Sequence, residues 1–270
     1  MSDAAGCPRS AYTVDTTTLT RSLNRGGIRV LDLRPDADYA AGHVPGAAHL
    51  DPESLRAAFA DVEGQVASAE QVSNALASAG VRDGDNIVLY DADNGAGPAR
   101  VAWTLLYYGW PTNHVRVLDG GWAAWTAADG AVSDAVPTIP KRSITLVAPT
   151  NARRVDAGWV NNHLSDKSVV LLDARTAEEY AAGHIPGAIH LPWESTRSGT
   201  TFLDDAAMIS LYGEALHAPT VVTYCDTGLR ASVLWLTLKM LAHPNVRVYD
   251  GSWTEWSARD DLKKTVGATP

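Results

Sequence analysis

At 270 residues, with 46% hydrophobic and 20% charged residues, the chain has the length and composition of one large or two medium soluble domains. A formal net charge of -9 argues against nucleic-acid binding, which needs clustered Lys and Arg, and requires that any anionic substrate be held by local positive groups. No stretch reaches the about 20 apolar residues of a membrane span, the start MSDAAGCPRS lacks a secretion-signal pattern, and two cysteines, Cys7 and Cys225, make no disulfide framework, so a reducing, cytoplasmic setting is expected.

The chain opens on a polar leader in which Cys7 is expected to be a bystander, with a resolving role as the alternative. Ile28 to Leu50 reads IRVLDLRPDADYAAGHVPGAAHL, Asn86 to Trp103 reads NIVLYDADNGAGPARVAW, and Val115 to Trp125 reads VRVLDGGWAAW. Segment 131–150 carries three prolines and few core-like patterns. It predicts a first domain over 1–135, a linker over 136–150 and a second domain over 151–270.

In the second half, Val169–Asp173 is a short apolar run ending in a polar residue, as a buried parallel strand would. A short helix is predicted over Ala177–Ala182, ended by Gly183, and another over Ala206–Leu216. Thr220–Tyr224 is β-branched and reads as a strand. Leu229–Leu241 reads as a helix that stops before Pro244, and Val246–Tyr249 as a further strand. Alternating strands and helices imply α/β domains, each with a mostly parallel sheet flanked by helices.

The two halves repeat one another. Asp32, Arg34 and His43 match Asp173, Arg175 and His184, each at an offset of 141; Trp122 and Trp125 match Trp253 and Trp256 at an offset of 131. A repeat of about 120–130 residues is a whole domain rather than a solenoid unit.

Ligands of such sheets sit beyond the carboxyl ends of the strands. Cys225 falls there, after the strand TVVTY and before a helix, at the head of Cys-Asp-Thr-Gly-Leu-Arg. Gly228 permits the positive φ of a tight turn. Successive backbone N–H groups of such a turn, with the positive end of the helix, can point at one anion. That setting favours thiolate and would hold a charged sulfur added to Cys225. The alternative is a small buried cysteine at a strand end.

Three features, in this order, resemble the tandem-domain rhodanese family: Asp-Ala-Arg with EEYAAGHIPGAIHLP, the strand–Cys225–loop–helix, and VRVYDGSW. The likeness covers nearly the whole chain. It implies a sulfurtransferase in which the cysteine takes a sulfane sulfur from a small anionic donor, forms a persulfide and hands the sulfur to cyanide or a thiol. No cofactor is implied. The related Cdc25-like phosphatases carry Cys-x5-Arg, whereas Arg230 makes Cys-x4-Arg here, a shorter loop better suited to one sulfur atom. Asp91 stands at the place of Cys225 in the first half, in a segment with 12 residues between Tyr90 and Trp103 against 10 between Tyr224 and Trp235. The first domain is therefore expected to be catalytically silent and to cover the cleft.

By the same resemblance, Arg230 contacts the donor, with a salt bridge bracing the helix start as the alternative. Asp226, Thr227, Gly228 and Leu229 complete the cradle, chiefly through backbone N–H groups. Arg175 resembles the family's anion-binding arginine, yet its twin Arg34 leaves a structural reading open, with Glu178 or Glu179 as partner; Asp173 could orient an arginine by ion pairing, and its twin Asp32 again suggests a structural task. Trp193 is placed either near the pocket or in the core. His43, His49, His184 and His190 show no metal-ligand spacing and read as hydrogen-bonded turn residues, and Asp91-Ala-Asp-Asn-Gly fails the calcium-loop pattern. Arg230 favours thiosulfate, because mercaptopyruvate enzymes resemble Cys-Gly-Ser-Gly-Val-Thr; Thr227, a hydroxyl at the Ser place, favours 3-mercaptopyruvate. A persulfide-relay module and a non-enzymatic binding protein are the remaining alternatives.

Overall fold

The first half of the chain builds its sheet from short apolar runs. Its strands are β1 (Thr13–Val14), β2 (Ile28–Asp32), β3 (Ala48–His49), β4 (Arg56–Phe59), β5 (Val62–Val66), β6 (Asn86–Tyr90) and β7 (Val115–Leu118). Five of them form one parallel sheet in the order β1-β7-β6-β2-β3. β4 and β5 pair with each other as an antiparallel hairpin. The computed structural model describes residues 9–59, 62–93, 95–140, 142–147, 149 and 152–270; Cys7 and part of the expected linker lie outside them.

The second half follows the same plan with β8 (Arg154–Val155), β9 (Val169–Asp173), β10 (Ile189–His190), β11 (Arg197–Ser198), β12 (Thr201–Phe202), β13 (Thr220–Tyr224) and β14 (Val246–Tyr249). Its five-stranded parallel sheet runs β10-β9-β13-β14-β8. The register is shared with the first sheet: Asp32 lies opposite Tyr90, and Asp173 opposite Tyr224. Strands buried on both faces read as continuous apolar runs, which is why Val-Val-Leu-Leu and Thr-Val-Val-Thr mark the centre of the sheet.

The described residues form two compact units. One draws on Met1–Leu55, Ala67–Pro149 and Gly199–Phe202; the other on Arg56–Val66, Thr150–Ser198 and Leu203–Pro270. The second unit thus contains the β4–β5 hairpin from the first half of the sequence. Its core gathers Val160, Tyr180, Ile185, Val222, Tyr224, Tyr249 and Trp256. The first unit's core repeats the pattern with Leu19, Val30, Val88, Tyr90, Leu118 and Trp125.

The helix predicted over Ala206–Leu216 is α-helical only over Asp205–Tyr212, capped by the Asp204 side chain at Ala207 N–H, and continues as a 3₁₀ segment from Gly213 with φ 47°. The helix after the Cys225 loop spans Ala231–Met240 and begins directly behind Arg230. No helix among the described residues is long and apolar enough to cross a membrane.

Candidate active site

Cys225 leaves the carboxyl end of the central strand β13. Its side chain is 1% exposed. The neighbouring strand ends alongside, where Ala174 N–H donates to Tyr224 O at 2.9 Å. The chain then turns through Gly228, whose φ of 77° is in the left-handed region where a side chain would be strained. Ser232 closes the turn from the helix, donating its hydroxyl to Gly228 O at 2.8 Å.

Among the described residues, the N–H groups of Asp226, Thr227, Leu229 and Arg230 donate to no protein acceptor. Unspent N–H groups in a turn that feeds a helix start form an anion-binding concavity. The Cys225 N–H is occupied differently: it donates to Ser252 Oγ at 3.2 Å, and that hydroxyl donates to Tyr249 O at 2.7 Å. Ser252 is fully buried with φ 53°, a strained conformation for a non-glycine residue. The same segment braces the loop from below, with Trp253 N–H donating to Cys225 O at 2.9 Å and Thr254 N–H to Asp226 O at 3.1 Å. Nothing in DGSW singled out Ser252 in the sequence; only its place opposite the left-handed Gly121 of the first unit hints at an unusual backbone.

Arg230 reaches back to the helix Ala177–Ala182. Its two terminal nitrogens donate to Glu179 Oε2 and Oε1 at 2.7 and 2.8 Å, and Asp226 Oδ2 lies 3.4 Å away. Hydrogen bonding to Glu179 holds the Arg230 guanidinium above its ordinary value, against burial, with Cys225, Glu179 and Asp226 adding attraction. Glu179 is correspondingly pulled down to about 2, chiefly by that hydrogen bond. Glu179 also completes a capping box with Thr176, accepting from Thr176 N–H at 2.8 Å. One carboxylate thus ties a helix start to the loop.

Arg175 is placed differently from a substrate-binding arginine. It is 1% exposed, donates to both oxygens of Asp173 at distances from 2.6 to 3.1 Å, and reaches Gly183 O at 2.7 Å. The Trp253 ring stacks over it, 4.7 Å from its guanidinium carbon. Its partner is Asp173, not Glu178 or Glu179, because its side chain folds back onto the last residue of the preceding strand β9. Arg34, Asp32 and Trp122 repeat the arrangement in the first unit. Trp122 and Trp253 therefore cap buried arginines while packing, partly buried, against the cores that contain Trp125 and Trp256.

Trp193 opens the 3₁₀ turn Trp193–Thr196, half-buried, with its N–H on Ala174 O at 3.2 Å. It stands next to the strand end that neighbours the loop. Thr227 has a partner that no local pattern announced: its hydroxyl accepts from Arg56 Nη2 at 2.8 Å. The histidines are spent on carbonyls, His43 on Tyr39 O, His49 on Arg34 O, His184 on Tyr180 O and His190 on Arg175 O. No group of His, Cys, Asp and Glu among the described residues could hold a metal ion.

The matching loop of the first unit carries Asp91, not a cysteine, at the place of Cys225. The Asp91 carboxylate accepts from Gly95 N–H at 3.1 Å and so caps its own turn. Below it, Trp122 N–H and Ala123 N–H donate to Asp91 O and Ala92 O, both at 2.9 Å, as Trp253 and Thr254 do at Cys225 and Asp226.

This pair of parallel-sheet units, one with a cysteine-headed anion cradle, defines a class. The model of the rhodanese-like domain matches residues 15–128 and 156–259, and the chain belongs to that family. It is 29% identical over 239 residues to the 3-mercaptopyruvate sulfurtransferase of Escherichia coli, covering 83% of this chain and 84% of that one. It is 29% identical over 275 residues to the thiosulfate sulfurtransferase of Azotobacter vinelandii, covering 97% and 98%. The crystal structure of SseA from Escherichia coli superposes with a TM-score of 0.81 at 24% identity, over 90% of this chain and 98% of that one.

Proposed function

We propose that the protein is a sulfurtransferase that moves a sulfane sulfur from thiosulfate to a thiophilic acceptor, with Cys225 as the sulfur-carrying nucleophile. The observation that carries this reading is the Cys225 loop: a cysteine at a strand's carboxyl end, followed by four N–H groups that find no acceptor among the described residues. In the first step the Cys225 thiolate attacks the outer sulfur of thiosulfate. The bond between the two thiosulfate sulfurs breaks, and sulfite leaves with the electron pair. The persulfide so formed carries its negative charge on the outer sulfur, inside the cradle. Cyanide or a thiolate then attacks that sulfur; with cyanide, thiocyanate leaves and the Cys225 thiolate returns. Two easier steps replace one transfer, and donors held before the charge moves cost no reorganisation.

Thiosulfate is favoured by the cationic end of the loop, where Arg230 stands five positions after Cys225 and directly before the helix Ala231–Met240. The Glu179 carboxylate shares that charge, so Arg230 also braces the helix start. A second reading, 3-mercaptopyruvate as donor, rests on the Thr227 hydroxyl within the loop and on the relative from Escherichia coli. The first unit, with Asp91 at the nucleophile's place, is read as silent.

Thiocyanate formation from cyanide with each donor tests the proposal, with Cys225→Ser beside the parent. Faster turnover of thiosulfate by the parent and none by the serine variant are expected. Faster turnover of 3-mercaptopyruvate would keep Cys225 and overturn the donor. Failure with both donors would overturn sulfur transfer.

A further inference from the structure

Within the second unit, one cation at the Cys225 loop comes from a segment that lies far away in the sequence. The hairpin β4–β5 belongs to the same compact unit as the loop. Arg56, half-buried, opens it. Its Nε donates to Gly64 O at 3.0 Å across the hairpin, which aims the guanidinium outward from the strand. Its Nη2 donates to Thr227 Oγ1 at 2.8 Å and lies 3.4 Å from Thr227 O. Because the Thr227 hydroxyl oxygen already accepts from Arg56, its own proton is left to donate elsewhere.

The hairpin is latched so that this contact is fixed. Arg56 lies opposite Val66 in the register. Val66 N–H donates to Asp250 Oδ2 at 2.9 Å, and Arg154 Nε lies 3.1 Å from the same oxygen. Arg154 also donates to the Gln65 side chain. Asp250 is fully buried, so this carboxylate is a rigid anchor. Gly64, at φ 79°, lies flat against the loop: a Cβ there would meet Thr227 Cβ at 2.9 Å. A glycine at this position in β5 is needed both for its backbone and for the close approach.

We propose that Arg56 is a donor-recognition residue of the Cys225 loop, adding a guanidinium on the Thr227 side opposite the role that Arg230 fills with Glu179. Its ligand is the anionic group of the sulfur donor. The inference rests on reading Cys225 as the site of an anionic sulfur donor. Guanidinium suits this task, since a charge-assisted hydrogen bond to an oxyanion is roughly twice as strong as a neutral one.

The experiment separates binding from transfer. Thiosulfate is titrated into full-length Cys225→Ser protein, read by tryptophan fluorescence or calorimetry, alone and combined with Arg56→Ala, Arg56→Gln or Arg56→Lys. The Cys225→Ser background binds; Arg56→Ala and Arg56→Gln weaken binding about tenfold, and Arg56→Lys falls between these two and the background. Arg56→Gln can still donate to Thr227 but carries no charge, so binding equal to the background in that variant means that Arg56 only braces Thr227, and overturns the proposal. An unchanged dissociation constant in all variants, or no binding by the background itself, overturns it too. Turnover by the protein with Cys225 intact decides sulfur transfer separately.

Discussion

Two arginines near the loop differ in what their carboxylates do for them. Arg175 and Asp173 are buried together, so removing one partner strands a charge in the core. Asp173→Ala is expected to cost about 3–5 kcal/mol, read from urea unfolding, with Cys225 chemistry lost through unfolding rather than through donor affinity. Arg230 and Glu179 are half-exposed, and solvent screening keeps their pair to about 1 kcal/mol. The hydrogen bond from Arg230 pulls the folded Glu179 carboxyl down to about 2, below its ordinary 4.5. A depressed folded value stabilises at pH above the unfolded value and is lost as pH falls through the folded one. The stability gap between the parent and Glu179→Gln should therefore be complete at neutral pH, shrink below about pH 4.5 and vanish near pH 2. Unfolding curves at three pH values check this. A gap that stayed constant to pH 2 would mean that the ion pair contributes nothing.

At the scale of elements, the loop is held from two sides: by the helix Ala231–Met240 ahead of it and by the start of the helix Ser252–Ala258 below. Ser252 is strained at φ 53° and still donates to Tyr249 O while accepting from Cys225 N–H. Strain of this kind costs about 1–3 kcal/mol and persists where the surroundings enforce it. Ser252→Ala keeps the strain and loses the hydroxyl, so both turnover and melting temperature should fall. Ser252→Gly relieves the backbone, so stability should recover while turnover stays low. Full turnover by the glycine variant would show that the hydroxyl is dispensable.

These elements also mark what the sequence could and could not disclose. The strands around Cys225 were legible because doubly buried parallel strands must be apolar throughout, and the loop because a cysteine, a glycine and an arginine within six residues have few other reasons to coincide. The partner of Arg230 was not legible. Glu179 stands four positions after Arg175 and 51 before Arg230, and only side-chain direction assigns it to the latter. The hairpin was invisible for a stronger reason. Its residues Val-Glu-Gly-Gln-Val carry no chemical signature, and Arg56 meets Thr227 across 171 positions.

Over the whole molecule, duplication supplies an internal control. The buried Asp32–Arg34 pair repeats Asp173–Arg175 to the same shortest distance of 2.6 Å, which marks the pair as scaffold. The DG aspartates repeat a task as well. Asp119 Oδ1 accepts from Phe202 N–H at 2.8 Å in the first unit, as Asp250 does from Val66 N–H in the second. Each unit therefore anchors a strand drawn from the other half of the sequence. What does not repeat is the loop itself. Its first-unit version has two more residues between the matching Tyr and Trp, and Asp91 is engaged in capping Gly95. A nucleophile alone should not restore a site there. Asp91→Cys in a Cys225→Ser background is expected to gain no sulfur from thiosulfate, as read by intact-protein mass spectrometry, while the parent gains one atom at Cys225. A persulfide at position 91 would mean that loop length is irrelevant, and that the first unit is silent only for want of a thiol.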